Sequence, residues 1–105
     1  MSALRRYEIL LPRQFNDGRS VPDALIGQAV VELRSRFGAA SCEIQIIQGF
    51  WHQGGELYRD NLIRLFVDVA DTEESREFFR DFKEQLKERF QQLEIYVTSH
   101  PIEVL

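Results

Sequence analysis

Cysteine occurs once in this sequence, at Cys42, so no disulfide can form within the chain and a metal site built from several thiolates is excluded. Apolar runs are short. None approaches the roughly 20 residues that a membrane helix requires. The opening segment from Met1 carries Arg5 and Arg6, but Glu8 interrupts the run toward Ile9-Leu10-Leu11 before it reaches signal-peptide length. Blocks of basic charge are missing too: 13 Lys and Arg stand against 17 Asp and Glu, for a net charge of -4. A phosphate backbone is held by clustered Lys and Arg that release counterions, so nucleic acid and anionic membrane surfaces are disfavoured partners. The expectation left by these absences is a soluble cytoplasmic protein.

What is present is ordinary for a globular chain. Hydrophobic residues make up 44% and charged residues 29% of 105, enough apolar surface for a core and far from a disordered composition. A chain of this length fits one domain, spanning 1–105.

Periodicity then orders the elements. Tyr7 to Leu11 alternates, with Tyr7, Ile9 and Leu11 on one side, and Pro12 stops it. Asn16-Asp17-Gly18 marks a turn. Ser20 and Asp23 resemble a capping box around Pro22, and Ile26, Val30, Leu33 and Phe37 mark the buried stripe of a helix that Gly38 ends. From Ser41 to Phe50 the pattern alternates again, placing Cys42, Ile44 and Ile46 inward, and Leu62 to Val69 does the same with Ile63, Leu65, Val67 and Val69. A second helix follows Asp71-Thr72, carrying Phe78, Phe82, Leu86 and Phe90 at steps of four beside Phe79, with acids early and bases late as the helix dipole favours. A last strand, Glu94 to Thr98, turns Leu93, Ile95 and Val97 inward until Pro101 interrupts it.

The order βαββαβ predicts an α+β, ferredoxin-like fold: a four-stranded antiparallel sheet with two helices on one face. Leu33-Arg34-Ser35-Arg36-Phe37-Gly38 and Leu86-Lys87-Glu88-Arg89-Phe90-Gln91 end the two helices alike, and the two halves read in nearly the same register.

The connection from Gly49 to Asn61 stands out. It holds the only Trp, one of two His and a Gly pair, and it is longer than hairpin loops usually are. One reading makes it a binding loop, with Trp51 and Tyr58 stacking a ligand and His52, Glu56, Arg59 or Asp60 holding it. The other extends the strands into a hairpin arm whose Trp51 and Tyr58 pack across strands or against a second subunit. His52, Glu56 and Asp60 mimic metal-ligand types at spacings of four, but Gly54-Gly55 argues against the helix that would bring them together, so no metal and no cofactor is expected. Cys42 reads as a small buried hydrophobe. The sheet face away from the helices would present Leu10, Ile47, Phe66 and Tyr96, an apolar patch suited to a homodimer contact.

The pattern of Tyr7 to Leu11, Asn16-Asp17-Gly18, Phe37-Gly38, Gly49-x-Trp51, Tyr58-x-Asp60, Phe90 and Tyr96 resembles small stand-alone bacterial proteins of ferredoxin-like type, an uncharacterised family. The resemblance spans nearly the whole chain and implies fold, not activity. RNA recognition motifs carry a basic and aromatic signature on the third strand that Leu62 to Val67 lacks. The expected function is a non-enzymatic, homo-oligomeric binding or regulatory module using the open face and the 49–61 connection. The alternative is a small dimeric α/β-barrel-type enzyme with His52, Glu56, Tyr58 and Asp60 lining a pocket.

Overall fold

The computed structural model describes residues 3–43 and 45–105. Its elements run β1 (Leu4–Pro12), α1 (Asp23–Phe37), β2 (Ser41–Cys42), β3 (Ile47–Gln53), β4 (Glu56–Ala70), α2 (Glu73–Arg89) and β5 (Tyr96–Ile102). β1 lies in the middle, antiparallel to β4 on one side and to β5 on the other; β2 and β3 both pair with β4. Both helices cover the same side of the sheet. Ile26, Ala29 and Leu33 of α1 and Phe79, Phe82 and Leu86 of α2 join Tyr7, Ile9, Leu11, Ile63, Leu65, Val67, Val69 and Ile95 in one buried cluster. The alternation expected in β1 and β4 therefore holds residue for residue. Tyr7 stacks on Phe79 with ring centroids 3.9 Å apart, and Phe37 stacks on Phe79 at 5.4 Å. Two helix-to-helix ion pairs, Glu32 with Arg89 and Glu74 with Arg36, close the outside of this layer.

The sheet has five strands, where four were expected. The strand foreseen from Ser41 to Phe50 is broken. Cys42 faces Leu65 and Ile47 faces Leu62, so five steps of chain oppose three and two residues are left over. The surplus is expelled as in a wide bulge, and the burial expected of two residues is lost: Cys42 keeps the inward side, opposite the core residue Leu65, but is exposed at the sheet edge, and Ile46 is 54% exposed. The third member of that expected set, Ile44, lies outside the described residues.

Three smaller expectations are also corrected. Helix α1 is capped at Pro22 with no side-chain cap bond, while Ser20 bridges Gln14 and closes the turn before the helix. Leu93 is 83% exposed because it sits in the bend ahead of β5, and alternation starts only at the buried Ile95. Pro101 does not end β5, which runs on to Ile102. Helix α2 begins as expected, with the Thr72 side chain accepting from the Ser75 N–H at 3.1 Å. Both helices close on a left-handed residue, Gly38 (φ 87°) after α1 and Gln91 (φ 55°) after α2.

Candidate functional site

The connection from Gly49 to Asn61 is a hairpin arm. Gly54 and Gly55, both at positive φ (60° and 81°), form the two-residue turn whose twist matches the flanking strands. Registers run from Ile47 opposite Leu62 to Gln53 opposite Glu56. Trp51 lies opposite Tyr58 and their rings stack at 6.2 Å, while the Tyr58 hydroxyl donates to Glu56 at 3.3 Å. A Cβ at Gly49 would come within 3.0 Å of Leu62 Cδ1, so the absence of a side chain there lets Leu62 sit beside the Trp51 ring.

Strand alternation separates the six candidate ligand residues. Trp51, Glu56, Tyr58 and Asp60 project from one face of the arm, His52 and Arg59 from the other, beside Phe50 and Leu57. Arg59 lies over the Phe50 ring at 5.6 Å. Phe50 (57%), Leu57 (60%) and Tyr58 (43%) are exposed, so both faces of the arm present apolar surface to water. Partial burial pushes the Asp60 carboxyl above its ordinary value. The enzyme alternative needs His52 beside Glu56, Tyr58 and Asp60; within one chain His52 points away from the other three.

The open face of the sheet is organised around Phe66. Arg6 and Arg64 lie over its ring at 4.7 and 5.0 Å. Arg6 makes a two-pronged contact to Asp68 at 2.7 and 3.0 Å, and Arg64 donates to Glu8 at 2.7 Å and to Glu43 at 2.8 Å. The guanidinium of Arg6 holds the Asp68 carboxyl below its ordinary value. Of the four patch residues, Leu10, Ile47 and Phe66 are half-buried and Tyr96 is 64% exposed. All four share this face, with Leu10 directly opposite Tyr96, and Glu8 and Arg64 standing between that pair and Phe66. The pairing of Arg64 with Glu8 and Glu43 has no signal in the sequence, because cross-strand register decides which outward residues meet.

Elsewhere, a groove of about 480 Å³ runs between α1 and the broken edge, where Ile26, Gly27, Val30 and Val31 face Cys42 and Ile63. Gly27 has open space where a Cβ would be, so it is no point of close approach. Asp17 accepts from Arg19 N and Arg19 Nε, and the 15–18 segment is the expected turn. No group of three or more His, Cys, Asp or Glu is gathered closely enough for a metal ion among the described residues. Nor does any described helix have the length and apolarity to cross a membrane.

No protein-family model and no curated protein matches this chain. Solved structures do share its fold. A phage SAM lyase in complex with S-methyl-5'-thioadenosine is similar with TM-score 0.76 at 15% identity, covering 96% of this chain and 83% of that one. The divalent cation tolerance protein CutA1 from Thermus thermophilus is similar with TM-score 0.64 at 14% identity over 94% of this chain and 84% of that one. CutA1 from Oryza sativa gives TM-score 0.62 at 14% identity over 98% and 83%. At such identities what is shared is the ferredoxin-like α+β fold.

Proposed function

We propose that the protein is a non-enzymatic, homo-oligomeric binding module of the cytoplasm, held together by its hairpin arm and contacting a partner or small ligand through the open face and the arm. The observation that carries this reading is the arm itself. A two-stranded hairpin is marginal in water, yet this one extends beyond the helices with Phe50, Trp51, Leu57 and Tyr58 uncovered on two faces. Covering both faces with a second copy supplies the burial that one chain lacks. The smallest such assembly is a homodimer, in which Leu10, Ile47, Phe66 and Tyr96 approach their counterparts.

Light scattering tests the reading. The wild-type chain is expected to scatter as an oligomer, and the double variant Phe50→Ser, Leu57→Ser as a folded monomer. A wild-type chain that stays monomeric at high concentration would sink it.

A second reading, the enzyme, is favoured by one observation: the extent of the likeness to the phage SAM lyase. In it, His52 of one copy joins Glu56, Tyr58 and Asp60 of another around a cavity between copies. Titration with S-methyl-5'-thioadenosine separates the two readings, since saturable binding abolished by Tyr58→Ala supports the enzyme, and the absence of any binding heat or mass adduct supports the module.

A further inference from the structure

The strands at the two outer edges of the sheet carry no charge. β3 reads Ile-Gln-Gly-Phe-Trp-His-Gln and β5 reads Tyr-Val-Thr-Ser-His-Pro-Ile, each seven residues long, without one Asp, Glu, Lys or Arg in a chain that is 29% charged. The inner strands take the charge instead: Arg5, Arg6 and Glu8 on β1, and Glu56, Arg59, Asp60, Arg64 and Asp68 on β4. Edges that remain in water are ordinarily blunted by charged side chains, because an unpaired row of N–H and C=O groups is a template for another strand. This molecule leaves charge off both edges; the one blunting residue is Pro101, at the far end of β5, which leaves Val97 and Ser99 as that edge's outward donors.

The direction of the free groups follows from the ladder. Glu43 N donates to Arg64 O, and Arg13 N to Asn61 O, so the even residues of β4 point their backbone groups toward β2 and β3 and the odd ones toward β1. Carried across the registers, Gln48, Phe50 and His52 of β3 aim N–H and C=O outward, as do Val97 and Ser99 of β5. Pro101 shares the outward parity of β5, so its missing N–H removes no bond to β1, which is why the strand continues through it. Among the described residues nothing pairs with either outer edge.

Resting on the self-association reading above, we infer that the β3 edge of one copy pairs with the β5 edge of another copy of this chain, continuing the sheet across the subunit boundary. Each copy then gives one edge and receives the other, and closure of the ring leaves neither in water. Two copies satisfy both junctions reciprocally about a two-fold axis, which turns their open faces toward one another. The absence of charge on both strands makes the pairing free of like-charge opposition in any register, and the outward aromatic and aliphatic side chains of β3 meet Tyr96 and Val97.

Complementation between two edge-blocked chains tests the inference. Gln48→Pro removes an outward donor from β3, and Ser99→Pro removes one from β5, neither touching an inward ladder bond. Native mass spectrometry is expected to show the wild type as a closed oligomer, each variant alone without it, and an equimolar mixture as a heterodimer joined by the remaining good edges. A mixture that stays monomeric while the wild type assembles overturns edge pairing and leaves self-association to another surface. Ser99→Pro assembling like the wild type overturns it equally, since β5 is then unused. A monomeric wild type removes both readings. Should either proline variant fail to fold, hydrogen exchange on the wild type decides. The amides of Gln48, Phe50, His52, Val97 and Ser99, which point away from their ladder partners among the described residues, are expected to exchange at least about a hundredfold more slowly than open chain, and unprotected exchange there counts against the pairing.

Discussion

Gln91 holds a conformation that its side chain opposes. Its φ of 55° is left-handed, and the bond from Gln92 N to Lys87 O at 2.9 Å closes the end of α2 as Gly38 closes α1. Gly38 and Gln91 stand at matching positions of the two helix ends, so glycine belongs at both by geometry and occurs at one. Gln91→Gly is therefore expected to raise stability by about 1 kcal/mol, read as a higher urea midpoint at unchanged slope. Gly38→Ala should cost a similar amount. Asp68 offers a pH-dependent test. Its carboxyl is held low by Arg6, so the pair contributes stability above the ordinary aspartate value of 3.8 and loses it as pH falls through the lower folded value. Asp68→Asn should lower stability at neutral pH by no more than about 1 kcal/mol, the pair being partly exposed. It should also make the acid limb of the stability curve shallower below the ordinary aspartate value of 3.8.

Elements divide by what decides their form. Where one face is buried, the side-chain period alone places each residue, and Tyr7, Ile9 and Leu11 or Ile63, Leu65, Val67 and Val69 are readable without coordinates. Helix α2 is as plain, its Thr72 cap and phenylalanine stripe both visible in sequence; Thr72→Ala should cost about 1 kcal/mol and Leu86→Ala about 2–5 kcal/mol, both by denaturant titration. The break between β2 and β3 was not legible, because Cys42-Glu43-Ile44-Gln45-Ile46 alternates perfectly and only the partner strand reveals two residues too many. The arm was half legible: Gly54-Gly55 spoke against a helix and one of two open readings packed Trp51 and Tyr58 across strands, but the separation of His52 and Arg59 from the other candidates depends on register. Because the arm makes few contacts with the core, Trp51→Ala should leave the global denaturant midpoint nearly unchanged while raising amide exchange from Ile47 to Leu62, as expected of a locally opening unit.

At the scale of the molecule, the Cα trace spans 46 × 29 × 25 Å, an elongation that one chain gains by holding an arm out from a compact helix-covered sheet. Such a shape spends surface that a chain of this size needs for its core, and association returns it. Folding and assembly are then linked by mass action: whatever binds only the folded arm adds stability that grows with the logarithm of protein concentration. The thermal midpoint of the wild type is expected to rise steadily as concentration is increased a hundredfold, the linkage reaching about 2.7 kcal/mol in total at one hundred times the dissociation constant. The double variant Phe50→Ser, Leu57→Ser should melt at one temperature across the same range while keeping the wild-type far-ultraviolet dichroism of its two helices. Differential scanning calorimetry at the two concentrations checks both outcomes, and a wild-type midpoint indifferent to concentration would show that the arm is carried without cover.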